Sequence, residues 1–139
     1  MKIFLKTYGC QSNYADSEQI ASLLQANDHE LVEDLDSAET VILNTCGVKE
    51  ATQNSIVTFL KSGNNKKIYI GGCLTSITDL KKYNDNIIGV FDTNSITKVP
   101  ELLEQQVYSI RVSKEKEERI NLPQLRFNKD VAIINISQG

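Results

Sequence analysis

An α/β fold built on a parallel sheet is the class this sequence predicts, on three grounds. Short apolar runs of strand length alternate with longer amphipathic runs of helix length. The alternation is almost regular across the first hundred residues. Glycine-bearing junctions punctuate it, as expected where a strand turns into a helix.

The elements follow in order. Residues 2–7 read as a strand, and residues 12–26 as a helix with Ile20, Leu23 and Leu24 on one face. Asp16 and Glu18 are expected in that helix's first turn, where the dipole favours acids. Residues 29–33 form a short strand candidate and residues 41–44 a buried one. Residues 49–62 then give a helix with Ile56, Val57, Phe59 and Leu60, stopped by Gly63. Residues 68–71 are a strand, 76–83 a helix, 87–91 a fifth strand, and 96–106 a last helix with Pro100 permitted near its start. The string β-α-β-β-α-β-α-β-α predicts a flavodoxin-like three-layer sandwich, with a five-stranded parallel sheet in the order 2-1-3-4-5 and helices on both faces.

Beyond residue 106 the chemistry changes. Residues 107–130 carry the run Lys114-Glu115-Lys116-Glu117-Glu118-Arg119 and then Pro123, and read as a charged, solvated linker. Residues 131–136 are again strand-like, with the sequence ending soon after at Gly139. Residues 131–139 are therefore expected to be the first strand of a truncated further domain, disordered or paired with a free sheet edge.

Composition narrows the function classes. At 139 residues, 40% hydrophobic and 24% charged, the chain has ordinary globular composition and can bury a core. Charge interrupts the N-terminus too early for a signal peptide, and no apolar stretch approaches the ~20 residues that span a bilayer, so a cytoplasmic protein with no membrane partner is expected. A net charge of −3 opposes a dominant nucleic-acid footprint. If the protein acts on RNA, the main grip lies elsewhere.

Three cysteines carry the chemistry. Cys10, Cys46 and Cys73 each fall where a strand-like run ends and a helix-like run begins, in Tyr8-Gly9-Cys10, Thr45-Cys46-Gly47 and Gly71-Gly72-Cys73. In the order 2-1-3-4-5 the strands before them are direct neighbours, and ligands of such sheets bind beyond the carboxyl ends at the switch point between strands 1 and 3. Strands ~4.8 Å apart would spread three thiols over about the width of a small inorganic cluster. A helix following each cysteine would favour thiolate over thiol.

The spacings C-x35-C and C-x26-C lack the close C-x2-C pair usual for structural zinc, and three thiolates suit an iron–sulfur cluster with one iron left open better. The bland alternative is three buried or loop thiols with no shared role, since free cysteine is among the most buried residue types. A phosphatase nucleophile is excluded because Asp16 stands where C-x5-R needs arginine, and no G-x-G-x-x-G or Walker loop is present. His29, the one histidine, reads as a surface residue away from the cysteines. Asn13 and Asn44 read as caps of the adjacent helix or turn, Tyr8 as packing and Lys49 as solvated.

Three stretches together resemble a family. Thr7-Tyr8-Gly9-Cys10-Gln11-Ser12-Asn13 with Asp16-Ser17-Glu18, then Asn44-Thr45-Cys46-Gly47-Val48-Lys49, then Gly71-Gly72-Cys73, are similar to the signatures of the N-terminal domain of radical-SAM methylthiotransferases. The match covers residues 1–106, and the segment ending Ile136-Ser137-Gln138-Gly139 resembles the strand leading into that family's radical-SAM motif. The resemblance implies that Cys10, Cys46 and Cys73 hold an auxiliary 4Fe-4S cluster that supplies or carries the inserted sulfur. It implies a second 4Fe-4S cluster and S-adenosylmethionine in a radical-SAM domain that this sequence does not include, and tRNA gripped mainly by further domains. The wording of the motifs is most like the archaeal and eukaryotic-type enzymes acting on N6-threonylcarbamoyladenosine 37. Relatives acting on isopentenyladenosine tRNA or a ribosomal protein share the skeleton, and a noncatalytic cluster-binding or docking module is the other class. A chain without the radical-SAM site is expected to be inactive alone.

Overall fold

The computed structural model describes residues 1–9, 11–45, 50–62, 65–72, 78–105 and 109–111. Among the described residues, six strands and three α-helices run in the order β1 (Lys2–Thr7), α1 (Gln11–Ala26), β2 (Glu30–Leu31), β3 (Thr40–Asn44), α2 (Glu50–Lys61), β4 (Lys67–Gly71), β5 (Ile87–Phe91), α3 (Val99–Leu103) and β6 (Ser109–Arg111). Short 3-10 segments occupy Leu35–Ser37, Thr78–Tyr83 and Thr93–Lys98. All strand pairs are parallel, in the order β2-β1-β3-β4-β5-β6.

Strand periodicity divides the apolar residues between two cores. On one face Ile3, Ile42, Tyr69 and Phe91 pack with Ile20 and Leu24 of α1 and with Val99, Leu102 and Leu103 of α3. On the other, Val41, Leu43, Ile68, Ile70, Ile87 and Val90 pack with Ile56 and Leu60 of α2 and with Leu80. β3 is buried at every position, which explains its unbroken apolar run: a strand covered on both faces has no solvent side on which to alternate. The helices change face between β1 and β3, so the crossovers leave a crevice at the carboxyl ends of those strands.

Helix α1 ends in a Schellman arrangement. The His29 amide donates to the Leu24 carbonyl at 3.0 Å and the Asp28 amide to that of Gln25 at 3.1 Å, with Asp28 in the left-handed region at φ 65°. The chain then enters β2, where the Glu30 and Val32 amides donate to the Met1 and Ile3 carbonyls at 3.0 and 2.9 Å.

Four expectations are corrected. The sheet has six strands rather than five: Ser109, Ile110 and Arg111 pair in parallel with Gly89, Val90 and Phe91, inside the stretch expected to be linker. The apolar Ile110 stands between polar Ser109 and Arg111, the period of a strand, but the run is short and is followed soon by charge.

The last helix is split, with 3-10 geometry over Thr93–Lys98 and α-helix only over Val99–Leu103. Pro100 has no amide hydrogen, and inside a longer helix its ring would meet the Ile96 carbonyl, so the α-helix starts where proline lies in the first turn. The described part of the expected 76–83 helix is likewise 3-10, over Thr78–Tyr83, a segment held to the core through the buried Leu80. Finally, α1 begins at Gln11, which puts Asp16 and Glu18 in its second turn rather than its first, and both are buried. Residues 131–139 and most of the charged segment lie outside the described residues. Among the described residues no helix is long and apolar enough to cross a membrane.

Candidate functional site

The parallel register sets Thr7, Asn44 and Gly71 side by side as the last paired residues of β1, β3 and β4. The ladder continues one residue further at each junction. The Tyr8 amide donates to the Asn44 carbonyl at 2.8 Å, the Thr45 amide to that of Gly71 at 2.8 Å, and the Gly72 amide to that of Phe91 at 3.1 Å. Cys10, Cys46 and Cys73 lie outside the described residues, as do Gly47 and Lys49. In the chain they follow Tyr8 by two residues, Thr45 by one and Gly72 by one.

A buried polar layer lies against this row. Asn44 donates through Nδ2 to the Asn13 carbonyl at 2.8 Å and to Ser17 Oγ at 2.9 Å. Asn13 Nδ2 donates in turn to the Thr45 carbonyl at 3.1 Å. Thr45 Oγ1 donates to the Gly71 carbonyl at 2.9 Å, and Thr7 Oγ1 and Ser17 Oγ share a hydrogen bond of 2.7 Å. Asn13, Ser17, Asn44 and Thr45 are all buried. The Asn13 and Asn44 carboxamides, expected to cap the adjacent helix or turn, bridge α1 and the end of β3.

Sequence reasoning missed Ser17, Thr45 and Thr7 as members of this layer. A signal existed, since Asn13 and Ser17 are four apart on one helical face and each threonine stands at the end of a strand just ahead of a cysteine.

Glycine is required at the β4 exit. Gly72 has φ +150°, and a Cβ there would meet Thr45 Oγ1 at 2.4 Å and the Thr45 carbonyl oxygen at 2.7 Å. Gly9, at φ 128°, gives the β1 exit a conformation that side chains rarely adopt.

The remaining expected residues fall into place. Tyr8 is half-buried against the α2-side core, with the Lys6 ammonium 5.4 Å from its ring centroid, and burial pushes its phenol pKa up. That is the packing role expected of it. His29 sits at the opposite edge of the sheet, its Nδ1 3.4 Å from the amino terminus. Burial, then the neighbouring amino terminus, lowers its pKa, with Asp28 and Glu104 opposing.

A cavity of about 640 Å³ opens along the outer edge of β1 among Leu5, Tyr14, Leu31 and Val32, and it touches the row through Thr7. A second, of about 560 Å³, lies between Lys6, Tyr8 and the Asn54–Phe59 side of α2. Neither cavity is lined by Asn44 or Gly71. Among the described residues no group of three His, Cys, Asp or Glu side chains is placed to hold a metal.

Comparison with known proteins agrees with the motifs. The chain is 33% identical, over 97% of its length, to the tRNA-2-methylthio-N(6)-dimethylallyladenosine synthases of Staphylococcus haemolyticus strain JCSC1435 and of Staphylococcus aureus strain JH9. It spans 29% of the length of each of those relatives. Residues 2–92, from β1 to just past β5, match the family described as the uncharacterized protein family UPF0004, and the chain belongs to that family.

Proposed function

We propose that this chain is the auxiliary-cluster domain of a cytoplasmic tRNA methylthiotransferase, with Cys10, Cys46 and Cys73 as ligands of a 4Fe-4S cluster. The observation that carries the proposal is the Thr7–Asn44–Gly71 row. Consecutive Cα atoms are ~3.8 Å apart, so chain connectivity alone keeps the Cys46 and Cys73 Cα atoms within ~4 Å of adjacent, hydrogen-bonded residues, and that of Cys10 within ~8 Å. Three thiols tethered so closely, with no competing carboxylate or imidazole group among the described residues, fit a three-thiolate cluster site.

The chain's own contributions follow from its geometry. Helix α1 begins at Gln11, directly after Cys10, and its dipole favours the thiolate there. Gly72, without a Cβ, lets the β4 exit lie against Thr45. Held by the three thiolates, the cluster would supply or carry the sulfur inserted at C2 of an N6-modified adenosine 37.

The second 4Fe-4S cluster, S-adenosylmethionine and the radical chemistry belong to a radical-SAM domain, toward which residues 131–139 lead after the linker that follows β6. tRNA is the substrate of the whole protein, and most of its contacts are made by the other domains. The motif wording favours N6-threonylcarbamoyladenosine as the target. The names of the two staphylococcal relatives favour the dimethylallyl-modified base, and this is the second reading.

Mass spectrometry of tRNA nucleosides from a strain lacking the full-length gene tests the proposal. Loss of one methylthio-adenosine, restored by the wild-type gene but not by Cys10→Ser, supports it, and the base that loses the group identifies the substrate. Unchanged methylthio-nucleosides would leave a noncatalytic cluster-binding module instead.

A further inference from the structure

We infer that Asn13, Asn44 and Thr45 are positioning residues that fix the spacing of the three cysteine-bearing loops before any cluster is held. This rests on the reading of Cys10, Cys46 and Cys73 as ligands. Among the described residues, backbone rungs align the strands as far as Tyr8, Thr45 and Gly72. Past those rungs the described contacts between neighbouring exits are made by side chains.

Asn44 and Asn13 form a reciprocal pair. The Asn44 carboxamide binds the Asn13 main chain, and the Asn13 carboxamide binds the Thr45 main chain. Each clamp therefore grips backbone within three residues of a cysteine, Asn13 after Cys10 and Thr45 before Cys46. The second proton of Asn44 Nδ2 reaches Ser17 Oγ, so one amino group fastens the first and second turns of α1 to the end of β3. Thr45 carries the linkage onward. Its amide and its hydroxyl both donate to the Gly71 carbonyl, and its Oγ1 and carbonyl fill the space where a Cβ on Gly72 would lie.

Burial makes this arrangement specific. Asn13, Asn44 and Thr45 are 6%, 2% and 2% exposed, so each bond is made away from water and its loss would strand a buried polar group. Apolar side chains of similar size would pack the same junction without that desolvation. What the hydrogen bonds add is direction, which a cluster site needs and a core does not.

The test uses the whole chain and two thiol-binding probes. Thr45→Ser keeps the hydroxyl and Thr45→Val removes it with little change in volume, while Asn44→Leu removes both carboxamide bonds. Ile96→Val, a core change remote from the row, controls for general loss of stability. After anaerobic iron and sulfide loading, iron release to a chelator is expected to quicken about fivefold or more in Thr45→Val and Asn44→Leu, with altered electron paramagnetic resonance of the reduced cluster. Thr45→Ser and Ile96→Val should match wild type.

Arsenite, which binds converging thiols without iron, should bind the unloaded Thr45→Val and Asn44→Leu chains about fivefold more weakly than wild type. Wild-type rates, spectra and arsenite affinity in both variants would overturn the inference. If the wild type binds arsenite but takes up no iron, the cluster reading fails, and the arsenite comparison alone decides the positioning role. A wild-type chain that takes up neither overturns both.

Discussion

Replacing Gly72 with alanine perturbs the junction between the second and third cysteine loops without touching a cysteine. A non-glycine residue at φ +150° carries a backbone strain of roughly 1–3 kcal/mol. The new methyl group would stand 2.4 Å from Thr45 Oγ1 and 2.7 Å from the Thr45 carbonyl oxygen. The hydroxyl can rotate away, but the carbonyl belongs to a backbone pinned by the Thr45 amide at 2.8 Å from the Gly71 oxygen. Overpacking of this kind adds roughly 1–3 kcal/mol, and the smaller unfolded-state entropy of alanine returns only ~0.4–1 kcal/mol.

The expected loss for Gly72→Ala is therefore roughly 1–5 kcal/mol, a shift of the urea midpoint by about 0.5 M or more. Far-UV circular dichroism of the unloaded chain through a urea titration reads it. Thr45→Ala in the same background removes the hydroxyl and leaves the carbonyl, so it should recover part of the loss and not all. A Gly72→Ala midpoint equal to wild type would refute the close-approach geometry. Full recovery by Thr45→Ala would show that the main chain is not the obstacle.

Two further outcomes follow from the region where α1 meets β2. Asp28→Gly removes the cost of a left-handed aspartate in the Schellman turn and should stabilise the chain by up to about 1 kcal/mol in the same titration, whereas a destabilised variant would contradict that assignment. The pKa of His29 is lower in the folded chain than in the unfolded one, so below about pH 6.5 the unfolded state binds more protons. Its contribution is then complete above the unfolded value and lost as pH falls through the folded value, so stability should rise with pH across that window. His29→Gln should flatten the rise by a few tenths of a kcal/mol, a small amount because the ring is largely solvated. An unaltered slope in urea titrations from pH 5 to 7.5 would show that His29 is not the titrating group.

The features that sequence reading recovered are those with strong periodicity. β1 and β5 fall on the expected residues, and β3 and β4 each differ by one residue at the start, because their apolar runs are bounded by polar or glycine residues. The order of the first five strands follows from alternating strands and helices, and it places the Thr7, Asn44 and Gly71 ends together.

What escaped was set by tertiary context. β6 is a three-residue strand whose Ile110 remains 46% exposed, so its pattern is faint beside the charge run after it. Pro100 reads as allowed near a helix start, but only the packing of Val99 and Leu102 shows where that start is. The buried layer of Asn13, Ser17, Asn44 and Thr45 was legible as motif residues and not as a network. Polar residues at element ends usually cap or face water, and the partners here lie 26 to 32 residues apart.

The central claim is that Cys10, Cys46 and Cys73 hold one cluster between them. Iron and sulfide analysis of the chain after anaerobic reconstitution, on the wild type and on Cys10→Ser, Cys46→Ser and Cys73→Ser, tests it most directly. About four irons and four sulfides per wild-type chain, with loading lost in each single variant, is the expected result. Wild-type loading in all three variants would contradict it.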